Sequence, residues 1–491
     1  MGLAWGWAVA GCVKVDPAAD FDRTAGLIRE RTGSEAVYDP GGEERIGERV
    51  DALLADGLTI EEAVQVALLN NRSLQAAFQE LGVSRAQVVQ SGLMNNPSLS
   101  LVFKLPEGGG RPNAEFNLAQ ELATLWQIPL RKEAAKAQLE AVVLEVAARA
   151  VNLAADVRVR GYELLALEEG AGALQESLQL LERSQALAQR QFEAGTVSRL
   201  DVNLARSNVM EIQIEMIGLE RQRQLAEAAL ARLMNLSARL GSWRLADRLP
   251  EPRGVPGPEL LAWALGQRLD ARQAEYAVRR AEWDLRQECL RVFPSVQMGL
   301  SLEVLERRAQ AARKVLADAM RESIANGAPT VPSIESRGQR ALNRRQIIDA
   351  MLGPSLAFTL PIWDQNQAQI ATAVYRVIQR RKDYENLLDQ VANEVNRALR
   401  VVENAASLVR FYRDEALPQA QLSVDGARSL YEAGQQGIIV LIEAQGSYIL
   451  RRRAYVRALG DHAVAMAELE RAVGGRLPAP PASQPVGQAG P

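Results

Sequence analysis

Val202, Ala205, Val209, Ile212, Met216, Leu219, Arg223, Ala226, Leu230 and Leu233 follow one another in steps of three and four, with Arg223 the only polar member. A seam of that period sets its apolar side chains in one stripe along a helix, and the stripe needs helical partners over its whole length. The preceding tract supplies a partner, because Leu174, Leu178, Leu181, Gln185, Ala188 and Phe192 keep the same step. Proline is absent from Leu130 to Leu249 and again from Ile362 to Leu417, so neither stretch contains a residue that forces a helix to stop. Helices of roughly 50–70 residues reach about 75–105 Å at the standard rise. Glu193-Ala194-Gly195 breaks the first seam, since glycine permits the turn. The pattern predicts long antiparallel coiled-coil hairpins, with tips near 194–201 and 433–440.

The landmarks around these tracts occur twice. A capping box, Thr59-x-x-Glu62, opens a predicted helix over Glu61–Met94 that Asn95-Asn96-Pro97 ends. Adding 197 to these positions carries Ala67-Leu68 onto Ala264-Leu265, Ala77 onto Ala274 and Pro97 onto Pro294. Ile128-Pro129-Leu130 has a counterpart in Leu360-Pro361-Ile362, and Phe192-Glu193-Ala194-Gly195 in Tyr431-Glu432-Ala433-Gly434. The order is kept while the offset changes, which is duplication with insertions. The chain divides accordingly into an N-terminal arm over 13–57, mixed in composition and expected to be extended with little core of its own, a first repeat over 58–250 and a second over 251–475.

After each stop-proline the period switches to two. Ser98–Phe103 and Ala114–Ala119 alternate in the first repeat, and Ser295–Leu302 and Ser355–Leu360 alternate in the second. One polar and one apolar face suits a strand between lipid and a wet lumen, and suits equally a pair of small soluble hairpins. Four such strands cannot close a membrane barrel, and open sheet edges are not tolerated in hydrocarbon, so membrane strands would have to be pooled by several chains. Three chains of four strands make twelve, an allowed even number.

The N-terminus reads as an export signal. Residues 1–12 are apolar and small, and Val9-Ala10-Gly11-Cys12 has the form of a lipobox whose cysteine receives lipid. The stretch is short and no basic residue precedes it; the alternative is a chance cysteine near a ragged end. Val13, rather than an aspartate, follows the cysteine, which favours export to the outer membrane of a Gram-negative bacterium. Residues 303–353 are an insertion with a helical first half, expected to form a long surface loop, and the uncharged, proline-rich tail over 476–491 is disordered by composition.

These residues resemble the TolC-like outer membrane factors, specifically the lipid-anchored channels of tripartite efflux pumps. The resemblance rests on Leu58-Thr59-Ile60-Glu61-Glu62-Ala63, Ala67-Leu68-x-Asn70-Asn71, the paired prolines, Leu360-Pro361-Ile362-Trp363-Asp364 and the two tip motifs, and covers about residues 58–475. It implies a mainly α fold with a small β part: duplicated coiled-coil hairpins building a trimeric α-barrel, and four transmembrane strands per chain completing a twelve-stranded β-barrel. It implies docking of a periplasmic adaptor at the tips, Ala194, Gly195, Thr196, Val197, Ala433, Gly434, Gln435 and Gln436, and a partner inner-membrane transporter. The family's periplasmic gate maps to an apolar ring at Ile439 and an acidic ring at Glu443, one helical turn apart. The alternative is that Ile439 is a seam residue and Glu443 a solvated surface charge. Three apolar side chains around an axis can close a pore by dewetting, and carboxylates add cation preference. The first-half equivalents, Leu200 and Leu204, carry no charge.

Composition agrees with a wall rather than a pocket. Among 491 residues there are one histidine, two cysteines and 5% aromatics, too few for a His/Cys metal cluster or disulfide framework, so no cofactor is expected beyond a lipid on Cys12. A formal charge of −3 gives no electrostatic reason for a nucleic-acid partner. No Ser/His/Asp set or phosphate loop appears; His462 sits in a helical run where packing or exposure is its role, and Cys289 reads as a small buried or partly exposed helical thiol. The expected function is passive conduction of small solutes through an outer-membrane efflux channel. The alternatives are the exit duct of type I protein secretion and a lipid-tethered periplasmic coiled-coil scaffold without a pore.

Overall fold

The computed structural model describes residues 14–105, 113–255, 259–292, 295–307, 315–329 and 347–477. Cys12 with its lipobox, Pro294, much of the insertion (308–314 and 330–346) and the tail from 478 lie outside the described residues. The chain divides into two compact units: Met1–Val89 with Ala135–Arg280 and Val377–Pro491, and Gln90–Ala134 with Ala281–Arg376. Among the described residues no helix is long and apolar enough to cross a membrane.

The first unit opens with α1 (Ala18–Thr32) and α2 (Ile46–Leu54), which corrects the expectation of an extended arm with little core. Ile28 and Tyr38 are buried, and the Tyr38 ring meets Phe78 edge-on at 5.5 Å. Asp20 receives two 2.6 Å hydrogen bonds from Arg85. The arm's apolar residues are spread among glycines and charges, so their purpose shows only against a partner helix that comes later in the chain.

The capping box forms as read: Glu62 N–H donates to Thr59 Oγ1 and Thr59 N–H to Glu62 Oε2. The single helix expected over Glu61–Met94 is instead two, α3 (Ile60–Asn70) and α4 (Arg72–Ser91), broken where Asn71 is extended. The asparagines explain the break. Asn71 Nδ2 donates to the Leu233 carbonyl and Asn70 Nδ2 to that of Met234, both at 2.9 Å, while Asn71 Oδ1 accepts from Leu74 N–H. Asn71 thus caps α4 and holds the end of another helix, which offsets the lost helical turn.

Next comes α5 (Ala123–Glu193), 71 residues long, and its antiparallel return α6 (Arg199–Leu233). Every predicted seam position on α6 is buried or half-buried, and Leu174, Leu178 and Leu181 of α5 cluster with Val209 and Ile212 of α6. Phe192 departs from the seam and is exposed. The second repeat supplies α7 (Leu260–Gln267) and α8 (Leu269–Leu290), separated by an extended Arg268 that stands 197 positions after Asn71. Arg268 Nη1 donates to the carbonyl of Ala472, again a last-turn carbonyl. Cys289 is exposed in α8. After α9 (Val315–Asn326) come α10 (Gln367–Phe411), a π-turn over Tyr412–Ala416, α11 (Leu417–Glu432) and α12 (Ile438–Val473). Pro418 lacks the N–H that would bond the carbonyl four residues back, which accounts for the π-turn before it. Pro129, by contrast, lies inside α5 while Pro361 precedes α10, so these sequence counterparts do not occupy equivalent structure.

The second unit carries one antiparallel sheet in the order β1 (Ser98–Lys104), β2 (Asn113–Glu121), β3 (Val296–Arg307), β4 (Ile347–Phe358). Register sets Leu99, Leu118, Leu300 and Pro354 in one row, and Leu101, Phe116, Leu302 and Leu352 in the next. Across these rows one face is apolar, and the other carries Ser100, Asn117, Ser301 and their neighbours. Gly299 sits on that polar face because a Cβ there would meet the Leu118 carbonyl at 2.7 Å. Strands β3 and β4 run longer than expected, into both ends of the 303–353 insertion, because Ile348, Ala350 and Leu352 continue the alternation. The insertion is correspondingly less of a loop than it was read to be.

Candidate functional site

The two hairpin tips are built alike. Gly195 takes φ +76° and donates to the Phe192 carbonyl, while Thr196 N–H and Oγ1 both reach the carbonyl of Gln191. Gly434 takes φ +69° and donates to Tyr431, and Gln435 to the Leu430 carbonyl. Both glycines stand in the left-handed conformation that ends helices cheaply only for a residue without Cβ. The turns span 194–198 and 433–437, so the later halves of the predicted tips are already helix.

Of the eight tip residues, Ala194, Gly195, Thr196, Ala433, Gly434, Gln435 and Gln436 are exposed and Val197 is half-buried. The structure brings the tips together. Ala188 and Ala205 of the first hairpin form one cluster with Ala427, Tyr431, Ile438 and Leu441 of the second, and Val197 packs against it. Tyr431, only 2% exposed, is the largest side chain of this cluster, and its hydroxyl has no hydrogen-bond partner among the described residues. Burial pushes its phenol pKa up, and Asp201 adds to the rise. Its place in the second tip motif was legible, but its role as the plug between hairpins was not.

The helix that follows the second tip presents two faces. Ile438, Leu441, Gln445 and Ile449 are buried, and Gln445 donates to Ser184 at 2.6 Å. Ile439 (56% exposed), Glu443, Gly446 and Leu450 form an outward stripe on the other side. Glu443 has no ion-pair partner among the described residues. The structure thus places Ile439 and Glu443 together on a free face, away from the seam of their own chain. On α6, Leu200 is exposed and Leu204 half-buried.

Sequence reasoning missed a charged staple in the same unit. Arg158 is buried; it donates to both oxygens of Glu61 and to the Thr32 carbonyl, with Glu470 at 3.5 Å. Arg476 adds a 2.8 Å bond to Glu61. Burial opposes ionisation of Glu61, but Arg158 and Arg476 overcome it and hold the carboxyl below its usual range. Burial pushes Glu470 up, with Arg158 pulling the other way. His462 is 2% exposed with neither ring nitrogen hydrogen-bonded, and burial lowers its pKa. Among the described residues no group of three or more His, Cys, Asp and Glu could hold a metal ion.

A family profile described as outer membrane efflux protein matches residues 63–236 and 260–475. The cobalt-zinc-cadmium resistance protein CzcC of Cupriavidus metallidurans is 25% identical over 429 residues, covering 86% of this chain and 91% of the relative. A Salmonella typhimurium protein named as a probable outer membrane lipoprotein, SilC, is 23% identical over 440 residues, 85% of this chain and 86% of the relative. Among solved structures, that of CusC, described in terms of folding and transmembrane channel formation, superposes with a TM-score of 0.68 at 18% identity, covering 85% of this chain and 92% of the other.

Proposed function

The chain belongs to the outer membrane efflux protein family, and from that premise we propose that it forms, as a homotrimer, the passive outer-membrane duct of a tripartite efflux system. The observation that carries the trimer is the sheet. Among the described residues its apolar face is uncovered, with Leu99, Leu101, Leu118, Leu300, Leu352 and Phe358 all exposed, and the outer edges of β1 and β4 are unpaired. The two twelve-residue strands, β3 and β4, at about 3.4 Å per residue and tilted by about 45°, span roughly 28 Å, which fits an apolar band of about 25 Å. Closing the edges through two more copies gives every strand a partner on both sides and turns the apolar faces to lipid.

In this reading a lipid on Cys12 anchors the chain, and a periplasmic adaptor docks on the exposed turns at 194–197 and 433–436, linking the duct to an inner-membrane transporter. Ile439 and Glu443 form the gate, three copies of each facing the axis. Their outward stripe supports this, because an isolated apolar side chain beside an unpaired carboxylate has no use on a seam. The relative named for cobalt, zinc and cadmium resistance makes divalent metal ions the first cargo to test, and an acidic ring suits cations. The test is planar-bilayer recording with mass measurement of the purified protein. A trimer with discrete conductance steps is expected, and a monomer that leaves the bilayer silent would refute the duct. Glu443→Ala should raise leak current; unchanged leak would remove Glu443 from the gate. Cys12→Ser should abolish acyl labelling.

A further inference from the structure

Within the second unit a cavity of about 390 Å³ opens where strands give way to helices. Asn95, Glu121, Thr124, Gln127, Arg131 and Arg291 line it, contributed by the lead into β1, the end of β2, the first turns of α5 and the end of α8. Two of its charges are already answered. Glu121 accepts from Val296 N–H at 2.9 Å and Ala123 N–H at 3.1 Å, and Arg291 pairs with Glu288 at 2.8 Å. Arg131 is not answered. Its Nη2 reaches only the Leu93 carbonyl at 3.4 Å, its Nε is buried without a hydrogen bond, and no carboxylate pairs with it among the described residues. Its Nε is shut off from water with its hydrogen unused while the rest of the guanidinium stays open to the cavity, and its planar fork matches an oxygen anion such as phosphate.

The surroundings say which phosphate. Leu93 and Met94 directly precede Asn95, and Leu125 and Trp126 stand between Thr124 and Gln127; all four are exposed. Trp363, 87% exposed, lies three residues before Asn366, which also lines the cavity. Exposed apolar and indole side chains on the same segments that line a cationic recess fit the boundary between acyl chains and head groups. A free phosphate would make no use of them.

We propose that this cavity binds the head-group phosphate of a phospholipid in the periplasmic leaflet, with Arg131 donating to its oxygens and Trp126 lying against the glycerol and first acyl carbons. The proposal rests on the reading of the sheet as part of a membrane barrel. It gives the junction of strand and helix a fixed lipid at each copy.

The test is native mass spectrometry of the full chain in detergent, incubated separately with phosphatidylglycerol, with diacylglycerol lacking phosphate, and with inorganic phosphate. Trimer mass and bilayer conductance are read on the same samples. Phosphatidylglycerol should stay bound, and diacylglycerol and inorganic phosphate should not. Arg131→Gln should weaken lipid retention about tenfold, as loss of a hydrogen bond to a charged group does, with Arg131→Lys between the two. Trp126→Ala, which keeps the cation, should weaken phosphatidylglycerol retention severalfold. Equal retention by Arg131→Gln, or inorganic phosphate held as firmly as lipid, would overturn the site. A conducting wild-type trimer that retains no lipid would overturn the site and leave the channel standing, whereas a silent, monomeric wild type would overturn both.

Discussion

The two halves of this chain place the same turn in two different settings. Ser198 opens α6 with a capping box, donating its N–H to Asp201 Oδ2 at 2.9 Å and accepting from Asp201 N–H. Its counterpart 239 positions later is Gly437, which opens α12 with no side-chain cap, and the counterpart of Asp201 is an exposed Val440. The same offset pairs Arg158 with Arg397 and Arg223 with His462. Arg158 is a buried staple, and Arg397 is exposed. Arg223 pairs with Glu220 at 2.8 Å and Glu227 at 3.4 Å, whereas His462 is buried with its nitrogens unsatisfied. The first half ties its ends and seams with polar bonds, and the second leaves the same positions loose. A second tip held by packing around Tyr431 rather than by a cap is the one that can move at low cost, and it is the tip that carries Ile439 and Glu443.

The sharpest way to break this comparison is at Arg158. Arg158→Met removes the buried cation that bonds Glu61 and faces Glu470, and should lower unfolding stability in denaturant titration by about 3 kcal/mol. Arg397→Met, 239 positions later on an exposed site, should change it by no more than about 0.5 kcal/mol. Equal losses would mean that the two halves are held alike.

His462 comes next. Because burial lowers its pKa, the folded state holds it neutral, and its contribution is full above the unfolded value of about 6.5 and lost as pH falls below it. Glu61, also lowered, loses its contribution only further down, as pH falls below about 4.5. His462→Leu should therefore flatten the upper part of the acid-destabilisation curve and leave the lower part. At neutral pH it should stabilise by about 1 kcal/mol through removal of an unsatisfied buried group. An unchanged curve between pH 7 and 5 would take His462 out of the acid response.

Ser198→Ala should cost about 1 kcal/mol of helix-end stability, read as faster amide exchange over 199–202. The smallest effect is the transplant: Gly437→Ser with Val440→Asp should gain a few tenths of a kcal/mol and slow exchange at the start of α12. It should also lower the fraction of time the channel spends open. Slower exchange with unaltered opening would separate the cap from the gate proposed at Ile439 and Glu443.

Much of this was legible because it repeats along the chain. The heptad on α6 and the alternation of β1 to β4 are local periodic patterns, and Gly195 and Gly434 announce their turns by type. What stayed hidden depends on partners far apart in sequence. Asn71 reads as an ordinary helical residue until the Leu233 carbonyl is beside it, and Glu61, Arg158 and Glu470 look like solvated charges until three helices converge. The arm read as extended because Ile28 and Tyr38 have no periodic company. Arg131 gave no signal, since an unpaired cation is visible only once its surroundings exclude a counter-ion.

Chain-to-chain pairing of the sheet edges can be measured directly. With Cys289 replaced by Ser, cysteines introduced at Ser100 of β1 and Ser355 of β4 lie on the polar face of the two open edges. Oxidation in native membranes followed by denaturing electrophoresis should give monomer, dimer and trimer bands and nothing larger. No intermolecular bands, or a ladder that continues past the trimer, would contradict closure of the barrel by three chains.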